Sequence, residues 1–214
     1  MVAMMPEPLP YDAKQALRHL RSGDPRLARH IDRVGPVRMC LRPAGSPFEA
    51  LLRTIVFQQL SGRVASVIHA RLLNLFPGGP DPGRLLSLPD PALRGAGLSR
   101  NKLRAVKDLA QRTLAGGIPD FPALNKLPDE EVIRCLTQVH GIGRWSAQML
   151  LLFTLGRPDV MPAEDLGIRK GFQHVYSMRG LPAVSTVERK AQAWRPYRSV
   201  ASWYLWRAAD TLIS

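Results

Sequence analysis

The chain has 214 residues, 45% of them hydrophobic, and carries a formal net charge of +13 at pH 7. This length can bury one core or two small ones, and the charge favours a polyanionic partner, although a generally basic surface would give the same balance. No apolar run reaches the ~18 residues of a membrane span, and the first residues lack the basic-then-apolar order of a signal peptide. We therefore expect no membrane contact and a cytoplasmic location, on the nucleoid if the partner is DNA.

Cysteine and histidine usage argues against disulfide linkage and against a metal-cluster protein. The two cysteines, Cys40 and Cys135, are too few for a disulfide framework or a four-cysteine iron–sulfur cluster. Their apolar neighbours predict buried thiols. The five histidines show no metal-ligand spacing. We expect no iron–sulfur cluster and no zinc.

The N-terminal segment is predicted to consist of a loose tail over residues 1–10 and two short amphipathic helices over residues 12–34. Gly23, Asp24 and Pro25 separate these helices, and Asp24 is a candidate N-cap for the second one. The only strand-like segment of the chain covers residues 37–41 and is short.

A strong helix-start pattern begins at Ser46. Ser46 is a candidate N-cap, Pro47 occupies the first helical position and Glu49 completes a capping box. The apolar stripe of this helix ends in Gln58 and Gln59. Buried glutamines cost free energy unless they are paired, so these two side chains either face a cleft or bond to nearby backbone, and both readings are equally supported.

The next part of the chain predicts further helices and short loops. One helix covers residues 63–76, short helical pieces follow over residues 83–95, and Ser99 caps a longer helix that ends at Gly116 and Gly117. A solvated basic face or a track for phosphates is indicated on this longer helix by Arg100, Lys102, Arg104, Lys107 and Arg112. Helices of 8–17 residues and almost no strand signal predict an all-α fold.

A helix–hairpin–helix pattern occupies the centre of the second half. Pro128 and three acidic residues after it start the first helix, residues 139–144 form the hairpin, and the nearly all-apolar residues 145–155 predict a buried second helix. The glycines of Gly141-Ile142-Gly143 allow a tight turn. Backbone N–H groups at the start of the second helix then form an anion site suited to a DNA phosphate.

Chemistry-bearing residues follow this pattern. Asp165 stands at a helix start, where N-capping is its ordinary role. If it also faces the groove beside the hairpin, its carboxylate can stabilise a cationic sugar during glycosidic cleavage. Trp203 and Trp206 share one side of the last helix with Ile213. They are either core residues or a π-surface for an extruded base.

The chain resembles the helix–hairpin–helix DNA glycosylases of the HhH-GPD superfamily, and in particular the bacterial 3-methyladenine DNA glycosylase II family. A hairpin alone would be weak evidence, but four blocks appear in the family's order between about residues 46 and 210. They are IVFQQLSGRVA (55–65), GLSRNKLRAVKDLA (97–110), LPDEEVIRCLTQVHGIGRWSAQMLLLFTLGRPDVMPAEDLG (127–167) and WRPYRSVASWYLW (194–206).

The resemblance implies a fold of two helical lobes with a DNA-binding cleft between them. It implies an N-terminal tail and helices packing on the C-terminal lobe (1–45), a helical lobe with a wedge loop (46–126) and the HhH-GPD lobe (127–214). An N-terminal α/β lobe, present in long-form members, is not expected here. The protein is expected to be a monomer that acts on double-stranded DNA with alkylated bases.

The resemblance also implies the site residues. Asp165 matches the catalytic aspartate, and Gln59 the wedge that fills the gap left by the extruded nucleotide. The base pocket is implied to contain Trp145, Trp206, Met149 and Leu166, of which Met149 and Leu166 replace tyrosines. DNA contacts are implied for Gln58, Gln59, Leu60, Ser61, His140, Gly141, Ile142, Gly143, Arg144 and Ser146. A monovalent cation, Na⁺ or K⁺, is implied on main-chain oxygens of Thr137, Val139 and Ile142, with no other cofactor.

These implications predict a monofunctional enzyme of base excision repair. It would flip alkylated purines of the 3-methyladenine and 7-methylguanine type, hydrolyse the N-glycosidic bond and leave an abasic site. Bifunctional relatives carry a nucleophilic lysine after the hairpin, where this chain has Trp145. Two alternatives remain: a bifunctional glycosylase/lyase for oxidised bases, and a non-enzymatic DNA-binding module, which would need neither Asp165 nor the tryptophans.

Overall fold

Residues 8–210 are described by a computed structural model, and within them the chain is helical. The fold prediction, all-α, is confirmed, and no strand occurs between residues 8 and 210. Residues 1–7 of the predicted tail lie outside the described residues, as does Ile213. The helices are α1 Ala13–Gly23, α2 Pro25–Val34, α3 Pro47–Phe57, α4 Gly62–Leu73, α5 Pro82–Ser87, α6 Asp90–Gly95, α7 Arg100–Leu114, α8 Phe121–Lys126, α9 Asp129–Leu136, α10 Arg144–Phe153, α11 Leu166–Val175, α12 Val184–Ala191 and α13 Arg198–Asp210, with a 3₁₀ turn at Gln192–Trp194.

Three expectations from the sequence were wrong. In the strand-like segment 37–41, residues 37–40 are irregular and Leu41 forms only an isolated bridge, and the Arg42 N–H that follows donates to the Phe153 carbonyl at 2.6 Å. The expected length range of 8–17 residues is too narrow, because α5, α6 and α8 have only 6 residues each, although α5 and α6 are the short helical pieces predicted over residues 83–95. Cys40 is exposed, and Cys135 is half-buried, with its thiol donating to the Gly117 carbonyl at 3.2 Å. A surface loop at Cys40 explains why apolar neighbours in sequence did not bury it.

Side-chain capping explains where many helices begin. An N-terminal helix end leaves four N–H groups without helical partners, and an oxygen-bearing side chain accepts from them. The capping side chains belong to Asp12, Asp24, Ser46, Ser61, Asp81, Ser99, Asp120 and Asp165. The predicted capping box at α3 is modified, because Glu49 accepts from the Gly45 N–H at 2.8 Å.

The chain forms two compact units, one from residues 44–150 and the other from residues up to 43 together with residues from 151 onward. Residues 127–150 thus group with residues 44–126. In the discontinuous unit, α11 packs tightly against α13. A Cβ at Gly171 would lie 1.8 Å from the Leu205 carbonyl oxygen, so only glycine permits this approach.

A buried carboxylate connects the two chain segments of the discontinuous unit. Asp24 is 1% exposed and caps α2 through the N–H groups of residues 26 and 27. It also accepts from the Tyr176 hydroxyl, from Trp194 Nε1 at 3.1 Å, and pairs with Lys190 Nζ at 2.8 Å. Burial raises the pKa of Asp24, but the hydrogen bonds from Lys190, Tyr176, the backbone and Trp194 outweigh it and hold that pKa below its ordinary value.

No helix in the described part of the chain is both long and apolar enough to cross a bilayer.

Candidate functional site

The hairpin is a tight turn between α9 and α10 whose conformation depends on glycine. Gly141 has φ 79°, and the Ile142 N–H donates to the Val139 carbonyl at 3.0 Å across the turn. Within the described residues, the N–H groups of Gly141 and Gly143 have no hydrogen-bond acceptor. These two amides lie directly before α10 and are main-chain donors of the kind that binds a phosphate.

Side chains near the hairpin are used differently from one another. The His140 N–H donates to the Asp108 carboxylate at 2.7 Å and so is not available to a phosphate. Arg144 forms a bidentate ion pair with Glu130 on the surface. Ser146 is buried and accepts from Gln58 at 3.2 Å. An anion at this turn would therefore be held mainly by backbone groups.

The predicted cation ligands lie on the same turn. The Thr137 hydroxyl donates to the Ile133 carbonyl at 2.8 Å, which leaves the main-chain oxygen as its candidate ligand. The Val139 carbonyl accepts one hydrogen bond from Ile142 and retains a second lone pair. Neutral carbonyl oxygens are the donors that bind Na⁺ or K⁺. The donor chemistry fits the ion, whose binding stays a prediction.

The loop of residues 58–61, here called the glutamine loop, connects α3 to α4. Gln58 donates to the Gly141 carbonyl at 2.9 Å, so the backbone-bonding alternative describes this residue. Gln59 is exposed and has φ 55°, a left-handed conformation that is costly for residues other than glycine. Leu60 is 38% exposed, and Ser61 caps α4. The wedge role of Gln59 stays a prediction, and its exposure is compatible with it.

Asp165 belongs to the discontinuous unit and lies at the start of α11. Its Oδ1 accepts from the Ile168 N–H at 2.8 Å, which is the N-cap bond expected from the sequence. The same oxygen accepts from Trp206 Nε1 at 2.9 Å. Gly167 makes this contact possible, because a Cβ there would lie 2.9 Å from the Trp206 ring. The carboxylate is half-buried and is fixed by donors from two helices.

The predicted pocket residues differ in exposure and environment. Trp206 is half-buried and packs at 5.8 Å, centroid to centroid, on Phe153. Leu166 is 53% exposed and follows Asp165 directly. In the other unit, Trp145 is 43% exposed and Met149 is half-buried on α10. The structure brings Trp206 and Asp165 together, and membership of all four residues in one base pocket stays a prediction.

Sequence reasoning missed the residues that hold the segment leading to Asp165. The segment before Asp165 is held by Ser199, whose hydroxyl accepts from the Val160 N–H at 3.0 Å and donates to the Arg157 carbonyl at 2.6 Å. Asp159 pairs with Arg198 at 2.6 Å. Arg198 and Ser199 lie in the WRPYRS block, which was singled out as a motif without a role for either side chain.

Comparisons with known proteins agree with this description. Residues 52–196 match the family model described as HhH-GPD superfamily base excision DNA repair protein. The DNA-3-methyladenine glycosylase 1 of Schizosaccharomyces pombe is 36% identical over 165 residues, which cover 76% of this chain and 72% of that protein. A solved S. pombe 3-methyladenine DNA glycosylase, Mag1 in complex with abasic DNA, superposes with a TM-score of 0.81 at 34% identity, covering 90% of this chain and 95% of that one. The DNA-3-methyladenine glycosidase of Bacillus halodurans gives 0.83 at 34% identity, covering 92% and 90%.

Proposed function

Because this chain belongs to the HhH-GPD superfamily of base excision DNA repair proteins, we propose that it is a DNA-3-methyladenine glycosylase. It hydrolyses the N-glycosidic bond of alkylated purines in double-stranded DNA and leaves an abasic site. The observation that carries this proposal is the Asp165 carboxylate, held on one oxygen by the Ile168 N–H and the Trp206 indole N–H. Relatives that bear the name of this activity support it.

The chemistry follows from the substrate. A purine alkylated at N3 or N7 carries a positive charge, which weakens its glycosidic bond and favours stacking on electron-rich rings. The enzyme extrudes this base from the helix and places it against aromatic side chains such as Trp206. Cleavage then generates an oxocarbenium-like sugar. A fixed carboxylate stabilises that charge, and it also orients the attacking water or accepts its proton.

Asp165 is suited to this role because its carboxylate is pre-oriented. Two N–H donors on the same oxygen limit rotation of the group. A carboxylate that is fixed before the reaction needs no reorganisation when the positive charge develops. The helix-cap position and the catalytic role are therefore compatible.

The reaction ends at the abasic site. A lyase step needs a lysine that attacks the sugar and forms a Schiff base, and the position after the hairpin is Trp145. We expect no strand cleavage by the enzyme itself. DNA contacts from the hairpin amides and the glutamine loop, a monovalent cation on the turn, and action as a monomer are parts of the same proposal.

The test uses duplex DNA treated with a methylating agent, or carrying one 7-methylguanine. The wild-type protein should release 3-methyladenine and 7-methylguanine and leave sites that break only after alkali. Asp165→Asn should lower the single-turnover rate by about 10²-fold or more. Asp12→Asn is the matched control, since Asp12 also caps a helix through backbone N–H groups, at the start of α1.

Three results would contradict the proposal in different ways. No base release by a folded wild-type protein would exclude the enzyme and leave a DNA-binding module. Strand breaks without alkali, with an enzyme–DNA adduct trapped by borohydride, would indicate the lyase alternative. An equal rate for Asp165→Asn and wild type would remove Asp165 from catalysis.

A further inference from the structure

Helix α7 contacts both the glutamine loop and the hairpin, the two elements of the unit of residues 44–150 that are proposed to bind DNA. Its residues Lys102, Ala105 and Asp108 occur at intervals of three and form one ridge that spans about 9 Å along the axis. The sequence suggested that Lys102 belongs to a solvated basic face or a phosphate track. In the structure its ammonium group instead bonds to main-chain carbonyls of the same unit.

Lys102 holds the start of the glutamine loop. Its Nζ donates to the Val56 carbonyl at 2.6 Å and to the Gln58 carbonyl at 3.0 Å. These carbonyls lie at the C-terminal end of α3, where a cation is favoured by the helix dipole. Partial burial lowers the pKa of Lys102. The next residue, Gln59, has the unfavourable φ of 55°, which persists only when surrounding contacts hold it.

Asp108 holds the hairpin. Its Oδ2 accepts from the His140 N–H at 2.7 Å and from Arg112 Nε at 2.9 Å. One turn back on α7, the Ala105 methyl group lies 3.3 Å from the position that a Cβ on Gly141 would occupy. Gly141, the residue of the turn with a positive φ, is therefore packed directly against α7.

Gln58 bonds the glutamine loop directly to the hairpin and to the helix that follows it. Its side-chain amide donates to the Gly141 carbonyl at 2.9 Å and to Ser146 Oγ at 3.2 Å. The same residue accepts from Lys102 through its main-chain oxygen. The glutamine loop is thus bonded to the hairpin, and each of them is separately bonded to α7.

We propose that α7 is a brace that fixes the glutamine loop and the hairpin in one arrangement, with Lys102 and Asp108 as positioning residues. Neither side chain needs to touch DNA. The brace keeps the wedge at a set distance from the phosphate-binding amides, so that a nucleotide gripped by the hairpin is extruded at the wedge. This consequence at DNA rests on the proposed function, whereas the coupling between the two loops does not.

The coupling is tested on the free, full-length protein by amide hydrogen exchange measured by NMR. Asp108→Ala should speed exchange at His140, since its acceptor is lost, and Lys102→Met should do so at the end of α3. The brace predicts the crossed effects as well. Lys102→Met should raise exchange of the hydrogen-bonded hairpin amides of His140 and Ile142 about tenfold. Asp108→Ala should do the same for the last amides of α3, in keeping with loss of a charge-assisted hydrogen bond.

Matched controls separate positioning from general loss of charge or stability. Arg104→Met removes a cation from an exposed position of the same helix, where no partner occurs among the described residues. Lys102→Arg keeps a donor at the α3 carbonyls and should restore slow exchange in part. If Lys102→Met changes only the end of α3 and Asp108→Ala only the hairpin, the two contacts are independent and no brace exists.

A second readout concerns DNA. Affinity for a duplex with a tetrahydrofuran abasic site and the single-turnover excision rate are measured for each variant. Lys102→Met and Asp108→Ala should each lower the excision rate about tenfold, and the double variant should lose less than the product of the two single losses, because both disrupt one unit. Multiplicative losses would overturn the brace. Absence of excision by wild type, with crossed exchange effects intact, would overturn the proposed function and leave the brace.

Discussion

Trp206 supplies a hydrogen-bond donor as well as an aromatic face. Its indole N–H donates to Asp165 Oδ1 at 2.9 Å, while its ring packs on Phe153. From the sequence, the tryptophan could be read only as core or as a stacking surface. The structure adds a third property, because the orientation of the Asp165 carboxylate depends on this N–H.

We expect Trp206→Phe to separate the two properties. Phenylalanine keeps an aromatic surface but removes the donor, so one bond to a charged group, worth about 1.5–3 kcal/mol, is lost. The single-turnover excision rate should fall about tenfold or more, while affinity for abasic-site DNA changes little. Trp203→Phe is the control, since Trp203 lies on the same helix and contacts Tyr204 and Arg207 instead. An unchanged rate for Trp206→Phe would show that the N–H has no catalytic effect.

At the scale of elements, the N-terminal turn of α13 fixes the irregular segment that precedes Asp165. Ser199 Oγ accepts from the buried Val160 N–H and donates to the Arg157 carbonyl. The Arg198 guanidinium donates to both the carboxylate and the carbonyl of Asp159. These bonds fix the path of a segment without regular structure. They therefore also fix the position of the start of α11, which follows it.

Ser199→Ala should weaken this attachment. It leaves the Val160 N–H buried without its acceptor, which costs about 1–3 kcal/mol. We expect the free energy of unfolding in urea to fall by about that amount, and the excision rate to fall more than the affinity for abasic-site DNA. Ser185→Ala, at an exposed position of α12, should change neither. A Ser199→Ala protein as stable as wild type would refute the attachment.

Local signals explain which elements were predictable. The start of α3 and the start of α7 were predicted because Ser46 and Ser99 cap them within a few residues of sequence. The short helix α8 was not assigned, although Asp120 caps it, because 6 residues show too little periodicity. The Asp165 cap was predicted for the same local reason.

Contacts between distant residues were not predictable from one sequence. Lys102 and Gln58 are 44 positions apart, and Asp108 and His140 are 32 positions apart. Nothing in the local pattern distinguishes Lys102 from Arg104 on the same helix, since both read as exposed basic residues. The packing of α7 against α3 and the hairpin decides which cation is used internally. The function was predictable because its motifs lie within short stretches of sequence. The residues that hold these motifs in place were not predictable, because their contacts join distant parts of the chain.

At the scale of the whole molecule, one compact unit is assembled from both ends of the chain. Asp24 comes from the N-terminal segment, and its partners Tyr176, Lys190 and Trp194 come from the C-terminal one. A second connection joins Tyr204 to the N-terminal segment, through its hydroxyl donating to the Gly35 carbonyl at 2.7 Å. The unit that contains Asp165 therefore depends on polar contacts between segments more than 100 positions apart.

We expect Asp24→Asn to destabilise this unit by about 3 kcal/mol at pH 7, because the Lys190 ammonium group and the buried donors lose a charged partner. The effect should depend on pH with a definite sign. The pKa of Asp24 is lowered in the folded protein, below its unfolded value of about 3.9. Its stabilisation is thus complete above about pH 5 and is lost as the pH falls through the folded pKa.

Urea unfolding at pH 7, 5 and 3 measures this dependence. The difference in unfolding free energy between wild type and Asp24→Asn should be equal at pH 7 and 5 and smaller at pH 3. Asp32→Asn is the control, because Asp32 forms an exposed ion pair with Arg21 that is worth about 0–1 kcal/mol. If the Asp24→Asn difference were constant down to pH 3, the carboxylate would not be the charged group that holds the two segments together, and the neutral hydrogen bonds of Tyr176 and Trp194 would account for the contact.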